Sequence, residues 1–270
     1  MDLSSILPPR SSLYLPASNP RAIEKAKGLD ADLIMLDLED AVKAGMKDEA
    51  RAAAVDAAKA GFPGKLCAIR INAKGTAPHT ADIIAVRGSA CDLVIYPKVE
   101  SADEAAEIAA KTGKPLLAMI ETPMGVFAAR EIAAAEEVAG LIAGVNDLAN
   151  ELHIPPGSGR GGLALSLQMI VLAARGAGVW ALDGVFNALD DAAGLEAECA
   201  EGRRFGFDGK TLIHPNQIEA ANRIWSPSAA DVEEAKALIA AASGGAERFR
   251  DRMIETMHVE MAKRLLARVG

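Results

Sequence analysis

Leu116-Leu117-Ala118-Met119-Ile120-Glu121-Thr122-Pro123 is the stretch whose reading decides the fold. Five apolar residues in succession suit a strand buried on both faces, the signature of a parallel sheet covered by helices. The run stops at an acid, then at a Thr-Pro pair that suits a helix start. A second run repeats the arrangement: Leu141-Ile142-Ala143-Gly144 leads into Val145-Asn146-Asp147-Leu148. In α/β enzymes the chemistry collects at the carboxyl ends of such strands. Two acids on neighbouring strand tips suit one hard divalent cation, and a cation so held polarises a carbonyl and stabilises an enolate.

Outward from these two runs, strand-like and helix-like segments alternate along nearly the whole chain. Eight strands are expected: Ser12–Pro16, Leu33–Leu38, Leu66–Asn72, Leu93–Pro97, Leu116–Glu121, Leu141–Gly144, Val179–Asp183 and Lys210–Ile213. Between them, helical spacing is read over Arg21–Lys27, Asp48–Ala60, Ala102–Lys111, Val126–Ala135, Leu165–Arg175 and Ala192–Phe205. Ser101 with Glu104 three residues on reads as a capping box, and Gly61 and Gly113 as helix stops. The expected fold is an α/β (β/α)8 TIM barrel, with a doubly wound open sheet as the runner-up. The tail reads as helices over Gln217–Ile224, Ala229–Ala242 and Asp251–Leu266, surplus to a minimal barrel. The expected division is a barrel over 1–225 and a C-terminal helical extension over 226–270 that contacts a neighbouring subunit.

Composition narrows the function classes. The chain has 270 residues, half of them hydrophobic, which allows a substantial core. A formal net charge of −8 and no basic stripe argue against nucleic acid as a partner. Cys67, Cys91 and Cys199 lie far apart, with no metal or redox spacing, and suit a reducing cytoplasm. Met1 to Arg10 shows no secretory pattern, and no apolar run has the length of a membrane span.

Nearly every expected strand tip carries charge: Asp37-Leu38-Glu39-Asp40, Arg70-Ile71-Asn72, Tyr96-Pro97-Lys98, Glu121, Asp147, Asp183 and His214-Pro215. Glu121 and Asp147 are the expected metal ligands. An all-oxygen site suits Mg2+ or Mn2+, and four histidines in the chain argue against a His-rich zinc site. Arg70 reads either as a structural partner of Asp37 or Glu39, or as a bidentate grip on a substrate carboxylate; its place at a strand tip favours the grip. Asp37 and Glu39 are expected beside the cation and the substrate. Lys98 reads equally as a snorkelling surface lysine or a substrate contact. Asp183 and His214 read first as satisfied rim residues. The glycine-rich Pro155–Gly162 stretch lacks a phosphate-loop ending and reads as a mobile loop over the site. No GxSxG or HExxH pattern is present.

Taken in order, the motifs carry a resemblance. They begin with Arg10-Ser11-Ser12-Leu13-Tyr14-Leu15-Pro16, Asp37-Leu38-Glu39-Asp40-Ala41-Val42, Lys47, Ala50-Arg51, Arg70-Ile71-Asn72 and Pro97-Lys98-Val99-Glu100. They continue with Ile120-Glu121-Thr122-Pro123, Asn146-Asp147-Leu148, Leu182-Asp183-Gly184-Val185, Gly206-Phe207-Asp208-Gly209-Lys210 and Ile213-His214-Pro215. From about Arg10 onward the chain resembles the citrate lyase beta-subunit-like enzymes, which include malyl-CoA and citramalyl-CoA lyases, within the HpcH/HpaI aldolase group. The resemblance implies a (β/α)8 barrel assembled as a homotrimer or hexamer, with Glu121 and Asp147 as Mg2+ ligands. It implies that Arg70 holds the carboxylate of an α-keto acid. It further implies coenzyme A binding near the N-terminal motif, through Tyr14, Arg21 and Lys25.

The family's C-terminal Met-Ile-Asp segment brings a catalytic acid/base into the adjacent subunit's site. Here it reads Met253-Ile254-Glu255, which keeps the acid and moves its carboxylate by about one ångström. Glu255 is thus the expected proton carrier. The implied reaction is cleavage of a 3-hydroxyacyl-CoA such as malyl-, citramalyl- or citryl-CoA into an α-keto acid and an acyl-CoA. Three alternatives stand beside it: a thioesterase on the same scaffold, a citrate lyase beta component acting on an acyl-carrier-protein thioester, and a ligand-binding barrel without turnover.

Overall fold

In the computed structural model, which describes residues 6–269, eight parallel strands close into a barrel in sequence order. Met1–Ser5, half of the segment read for a secretory pattern, and Gly270 lie outside the described residues. The strands are β1 (Ser11–Pro16), β2 (Leu33–Asp37), β3 (Leu66–Arg70), β4 (Leu93–Tyr96), β5 (Leu116–Ile120), β6 (Val138–Ala143), β7 (Trp180–Asp183) and β8 (Gly209–Leu212). The crossover helices are α1 (Pro20–Ala26), α2 (Lys47–Ala60), α3 (His79–Gly88), α4 (Ala102–Thr112), α5 (Pro123–Ala133), α6 (Val145–Glu151), α7 (Ala164–Ala177) and α8 (Ala192–Phe205). After the barrel come α9 (Ile218–Trp225), α10 (Ala229–Ala241), a hairpin of β9 (Glu247–Phe249) and β10 (Arg252–Ile254), and α11 (Thr256–Leu266). Among the described residues no helix is long and apolar enough to cross a membrane.

Side-chain alternation fills the barrel. Leu33 and Met35 of β2, Leu93 and Ile95 of β4, Leu117 and Met119 of β5, and Leu182 of β7 form one buried cluster, with Tyr14 packed against it. The residue after each inward one points out towards the helices. Local signals fix the ends of the elements. Thr122 caps α5, its hydroxyl accepting from the Gly125 amide at 3.0 Å, with Pro123 at the first helical position. Ser101 caps α4 in the same way, and Gly113 ends that helix in the left-handed conformation. Glu104 does not close the expected box; its carboxylate accepts from the Tyr96 hydroxyl at 2.8 Å and from the Glu100 amide at 3.2 Å.

Several expectations need correction. Two crossover helices, α3 and α6, went unread, the first because Gly75 and Pro78 break the pattern before it, the second because it is only 7 residues long. β6 begins three residues earlier than read, beside a register shift in β5. Asp251–Leu266 is not one helix. Arg252–Ile254 pairs antiparallel with Glu247–Phe249, and the helix starts only at Thr256. The reason is tertiary: Phe249 and Ile254 bury themselves with Ala235, Leu238 and Ala262, which a continuous helix would not allow.

By contact density the chain forms two compact units, dividing between Ala221 and Asn222, inside α9 and four residues ahead of the expected boundary. The second unit has its own small core, and Glu234 of α10 pairs with both Arg250 and Arg252 of the hairpin.

On the outer face of β7 and β8 sits a buried ionic cluster. Asp183 faces away from the lumen, since Leu182 faces into it. Its carboxylate receives Lys210 Nζ at 3.1 Å and both terminal nitrogens of Arg160 at 2.7 and 3.0 Å, and Lys210 also reaches Glu198 of α8 at 2.7 Å. Arg160 further pairs with Glu198 and Glu201. The loop read as mobile is therefore clamped at Arg160.

Burial pushes the Asp183 carboxyl up, but Lys210 and Arg160 together hold it below the ordinary carboxylate range. A depressed folded value adds stability above about pH 4, lost as pH falls further. Asp183→Ala leaves Lys210 and Arg160 short of a counter-charge, so unfolding free energy measured in urea at pH 7 should drop by about 3–5 kcal/mol.

Candidate active site

β2 and β3 run parallel with Asp37 opposite Arg70, and each closes its strand. That register sets the two side chains against each other. Arg70 Nε and Nη2 each meet one Asp37 oxygen at 2.7 Å, a fork-on-fork pair. The same two oxygens also accept the amides of Glu39 at 2.8 Å and Ala41 at 3.0 Å. With four donors, the Asp37 carboxylate is saturated, and it is only 1% exposed. The expectation that Asp37 touches substrate is corrected: it anchors Arg70. The remaining edge of the guanidinium, Nη1, pairs with Glu39 at 2.9 Å, and the group lies 4.9 Å from the centre of the Tyr14 ring.

Sequence reading quoted Lys47 without a role. Its ammonium gathers the Leu38 and Glu39 carbonyls and the Asn72 side-chain oxygen at 2.6–2.8 Å, fixing the turn after β2. Asn72 is held in turn by Asp82, and Asp82 by Arg51.

Glu121, directly after β5, is 5% exposed. One of its oxygens accepts the Lys98 backbone amide at 2.9 Å. Lys98 sits at φ +52°, unusual for a residue with a side chain, and its ammonium reaches Asp147 at 2.9 Å. Lys98 thus serves both expected metal ligands, one through its backbone and one through its side chain. Asp147 lies in the first turn of α6, which starts at Val145, straight after Gly144. Gly144 is unavoidable there: an added Cβ would stand 2.3 Å from Glu121 Cβ. This close approach sets the start of α6 against the Glu121 side chain, and sequence reading missed its meaning. Asn146 and Asn187 exchange side-chain amide bonds at 2.7 and 3.4 Å, tying the first turn of α6 to the loop after β7.

The electrostatics favour a cation. Burial, then Glu39 and Asp147, push the Glu121 carboxyl up to about 8, against the Lys98 amide and Arg70. Burial likewise raises Glu39 to about 7, with Arg70 opposing. The acids thus disfavour one another's ionisation at the mouth, a cation bound there would draw them back to the charged form, and the Lys98 ammonium already stands on Asp147. No cluster of three or more potential metal-ligating side chains occurs among the described residues. Glu121 and Asp147 offer two carboxylates at this mouth, a donor set whose chemistry fits a hard divalent cation that takes its other ligands from water or substrate.

The other expected residues are scattered. Arg21 and Lys25 are exposed on α1, one turn apart. Tyr14 does not join them: its ring packs against the barrel interior beneath Arg70. His214 is an exposed cap whose Nδ1 accepts from the Asn216 amide at 3.2 Å. Asp183 belongs to the outer ionic cluster. Glu255, in the second unit, is exposed at the start of α11, and its amide donates to His258 Nδ1 at 3.0 Å.

Comparison with known proteins gives a consistent picture. Residues 10–215 match the family described as HpcH/HpaI aldolase/citrate lyase, and residues 165–269 match the C–C bond lyase family of the TIM-barrel fold. The chain is 42% identical over 270 residues to a (3S)-malyl-CoA thioesterase of Cereibacter sphaeroides, covering 97% of this chain and 94% of that protein. It is 34% identical to a citrate lyase subunit beta-like protein of Mycobacterium tuberculosis, covering 96% and 94%. Among solved structures, CitE of M. tuberculosis in complex with magnesium, acetoacetate and coenzyme A superposes with a TM-score of 0.86 at 33% identity, covering 98% of this chain and 99% of that one.

Gly144→Ala tests the packing that brings the two acids together. The methyl group must displace Glu121, so stability should fall by about 1–3 kcal/mol and Mg2+ affinity, measured by titration calorimetry, should drop with it.

Proposed function

Because the chain belongs to the HpcH/HpaI aldolase/citrate lyase family, we propose that it is a Mg2+-dependent carbon–carbon lyase acting on a 3-hydroxyacyl-CoA of the malyl, citramalyl or citryl type. The observation that carries this reading is the pairing of a buried, anchored Arg70 with the acids Glu121 and Asp147 at one barrel mouth. Arg70, fixed on one side by Asp37, turns its Nη1 from Glu39 to the carboxylate next to the reacting carbon. Glu121 and Asp147 hold Mg2+, which supplies Lewis acidity at the hydroxyl or keto oxygen. A general base, solvent water in the simplest case, takes the hydroxyl proton as the C–C bond breaks, giving the α-keto acid and the enolate of the acyl-CoA. Glu255 of a neighbouring subunit in a homotrimer or hexamer then delivers a proton to the enolate carbon. Lys98 is half exposed, so it can leave Asp147 as the cation enters. Arg21 and Lys25 offer two positive charges on one helical face to the coenzyme A phosphates. All three cysteines are free and buried, which suits the cytoplasm.

A second reading, hydrolysis of the same thioester, is supported by the malyl-CoA thioesterase relative, whose identity to this chain exceeds that of the citrate lyase-like one. Product analysis separates them. Purified protein with Mg2+ and malyl-, citramalyl- or citryl-CoA should release an α-keto acid and an acyl-CoA; a hydroxy acid with free coenzyme A would install the hydrolytic reading instead. An acyl-carrier-protein thioester in the same assay covers the remaining carrier. Glu121→Gln and Asp147→Asn should each lower kcat by roughly a thousandfold or more at saturating substrate, with thermal stability kept. Wild-type turnover in either variant would remove the metal assignment.

A further inference from the structure

The Tyr14 hydroxyl is a buried polar atom with no hydrogen-bond partner among the described residues. The ring is well placed for other reasons: it packs on the lumen cluster and lies under the Arg70 guanidinium. Only the oxygen is unexplained. An unpaired buried hydroxyl is unfavourable, and phenylalanine would pack the same way without that cost. The charges that act on this oxygen are Arg70, Asp37, Glu121 and Glu39, the groups of the mouth itself. Asp37 has no lone pair left for it, and Arg70 meets the ring face rather than the oxygen.

We propose that Tyr14 is a substrate-contacting residue whose hydroxyl donates a hydrogen bond to the carboxylate that Arg70 holds, so that tyrosine and arginine grip the α-keto acid together. This rests on the lyase reading and deepens it by giving the acid a second, neutral donor. The phenol supplies what the arginine lacks. Two of the guanidinium nitrogens are committed to Asp37 and the third touches Glu39, so Arg70 alone offers the ligand few free N–H groups. Burial also drives the phenol pKa well above its ordinary value, so the group stays a donor throughout the working pH range. Ser12, two residues earlier on the same face of β1, also has a buried hydroxyl without a partner, and it sits one layer deeper, opposite Leu33. It therefore serves as the control.

Tyr14→Phe keeps the ring, the packing and the cation–π contact, and removes only the oxygen. With saturating Mg2+, calorimetric titration of pyruvate and of oxaloacetate should give dissociation constants about tenfold weaker than wild type. Binding of acetyl-CoA alone should be unchanged, and the melting temperature of the ligand-free protein unchanged or raised. Ser12→Ala should leave keto-acid binding as in wild type. Unchanged keto-acid affinity in Tyr14→Phe overturns the assignment, the more plainly if the ligand-free protein melts lower, because the oxygen then serves the fold through an internal water. Weakened acetyl-CoA binding with normal keto-acid binding also overturns it. If wild-type protein binds neither keto acid in Mg2+, the lyase reading falls and takes the tyrosine contact with it.

Discussion

A guanidinium taken out of water must be neutralised where it stands, and the mouth of this barrel is arranged around that requirement at Arg70. The parallel register of β2 and β3 places Asp37 beside it, and the turn after β2 donates its amides to the same carboxylate. The price is rigidity: strand, turn and arginine move as one piece. Glu39 follows from the same turn and meets the third guanidinium nitrogen. Once Arg70 is matched by Asp37, the remaining acids outnumber the cations. Glu39, Glu121 and Asp147 share one half-exposed ammonium, that of Lys98. A site so composed is short of positive charge by construction, and a dication is what its chemistry suits.

Much of this was legible in the chain. Alternation cannot reveal a strand buried on both faces, but a short apolar run can, as the five-residue run ending in Glu121 does for β5, and each of the eight strands overlaps one that was read. Glu121 and Asp147 stood out because charge directly after such runs has no role in a core. Of the two readings of Arg70, the structural one is met twice over, by Asp37 on one edge and by Glu39 at the third nitrogen. Other features were invisible for a physical reason. Gly144 matters through what would collide with its missing side chain, Glu121, and that neighbour comes from a different strand. Lys47 matters through carbonyls that only the fold gathers. Tyr14 carried a motif but no direction. Sequence alone could not say that its face of β1 is the inner one.

The outer ionic cluster shows how the same barrel uses charge in two ways. In the lumen, acids are left unbalanced beside an opening. Behind β7 and β8, buried Asp183 and Lys210 are matched by each other and by Arg160 and Glu198, with Glu201 at the exposed rim of the cluster. The first arrangement suits a ligand, the second a joint. Arg160 fastens the glycine-rich segment that follows α6, the helix bearing Asp147. The segment's glycines and prolines therefore describe a route between two fixed points rather than a free flap. The second unit obeys the same logic on a smaller scale, with Glu234 drawing Arg250 and Arg252 together so that the short hairpin can present Glu255 at the head of α11.

The barrel closes by pairing Ser11 with Lys210 and Leu13 with Leu212, so its first strand waits for its last. Until that partner has been made, β1 offers an unpaired edge and the strands that follow have no ring to shelter their apolar faces. Contacts this distant in sequence slow folding and lengthen the time spent exposed to aggregation. The nascent chain leaving the ribosome is for this reason the most vulnerable form of the protein, and truncation anywhere before β8 removes the seam and not merely a strand.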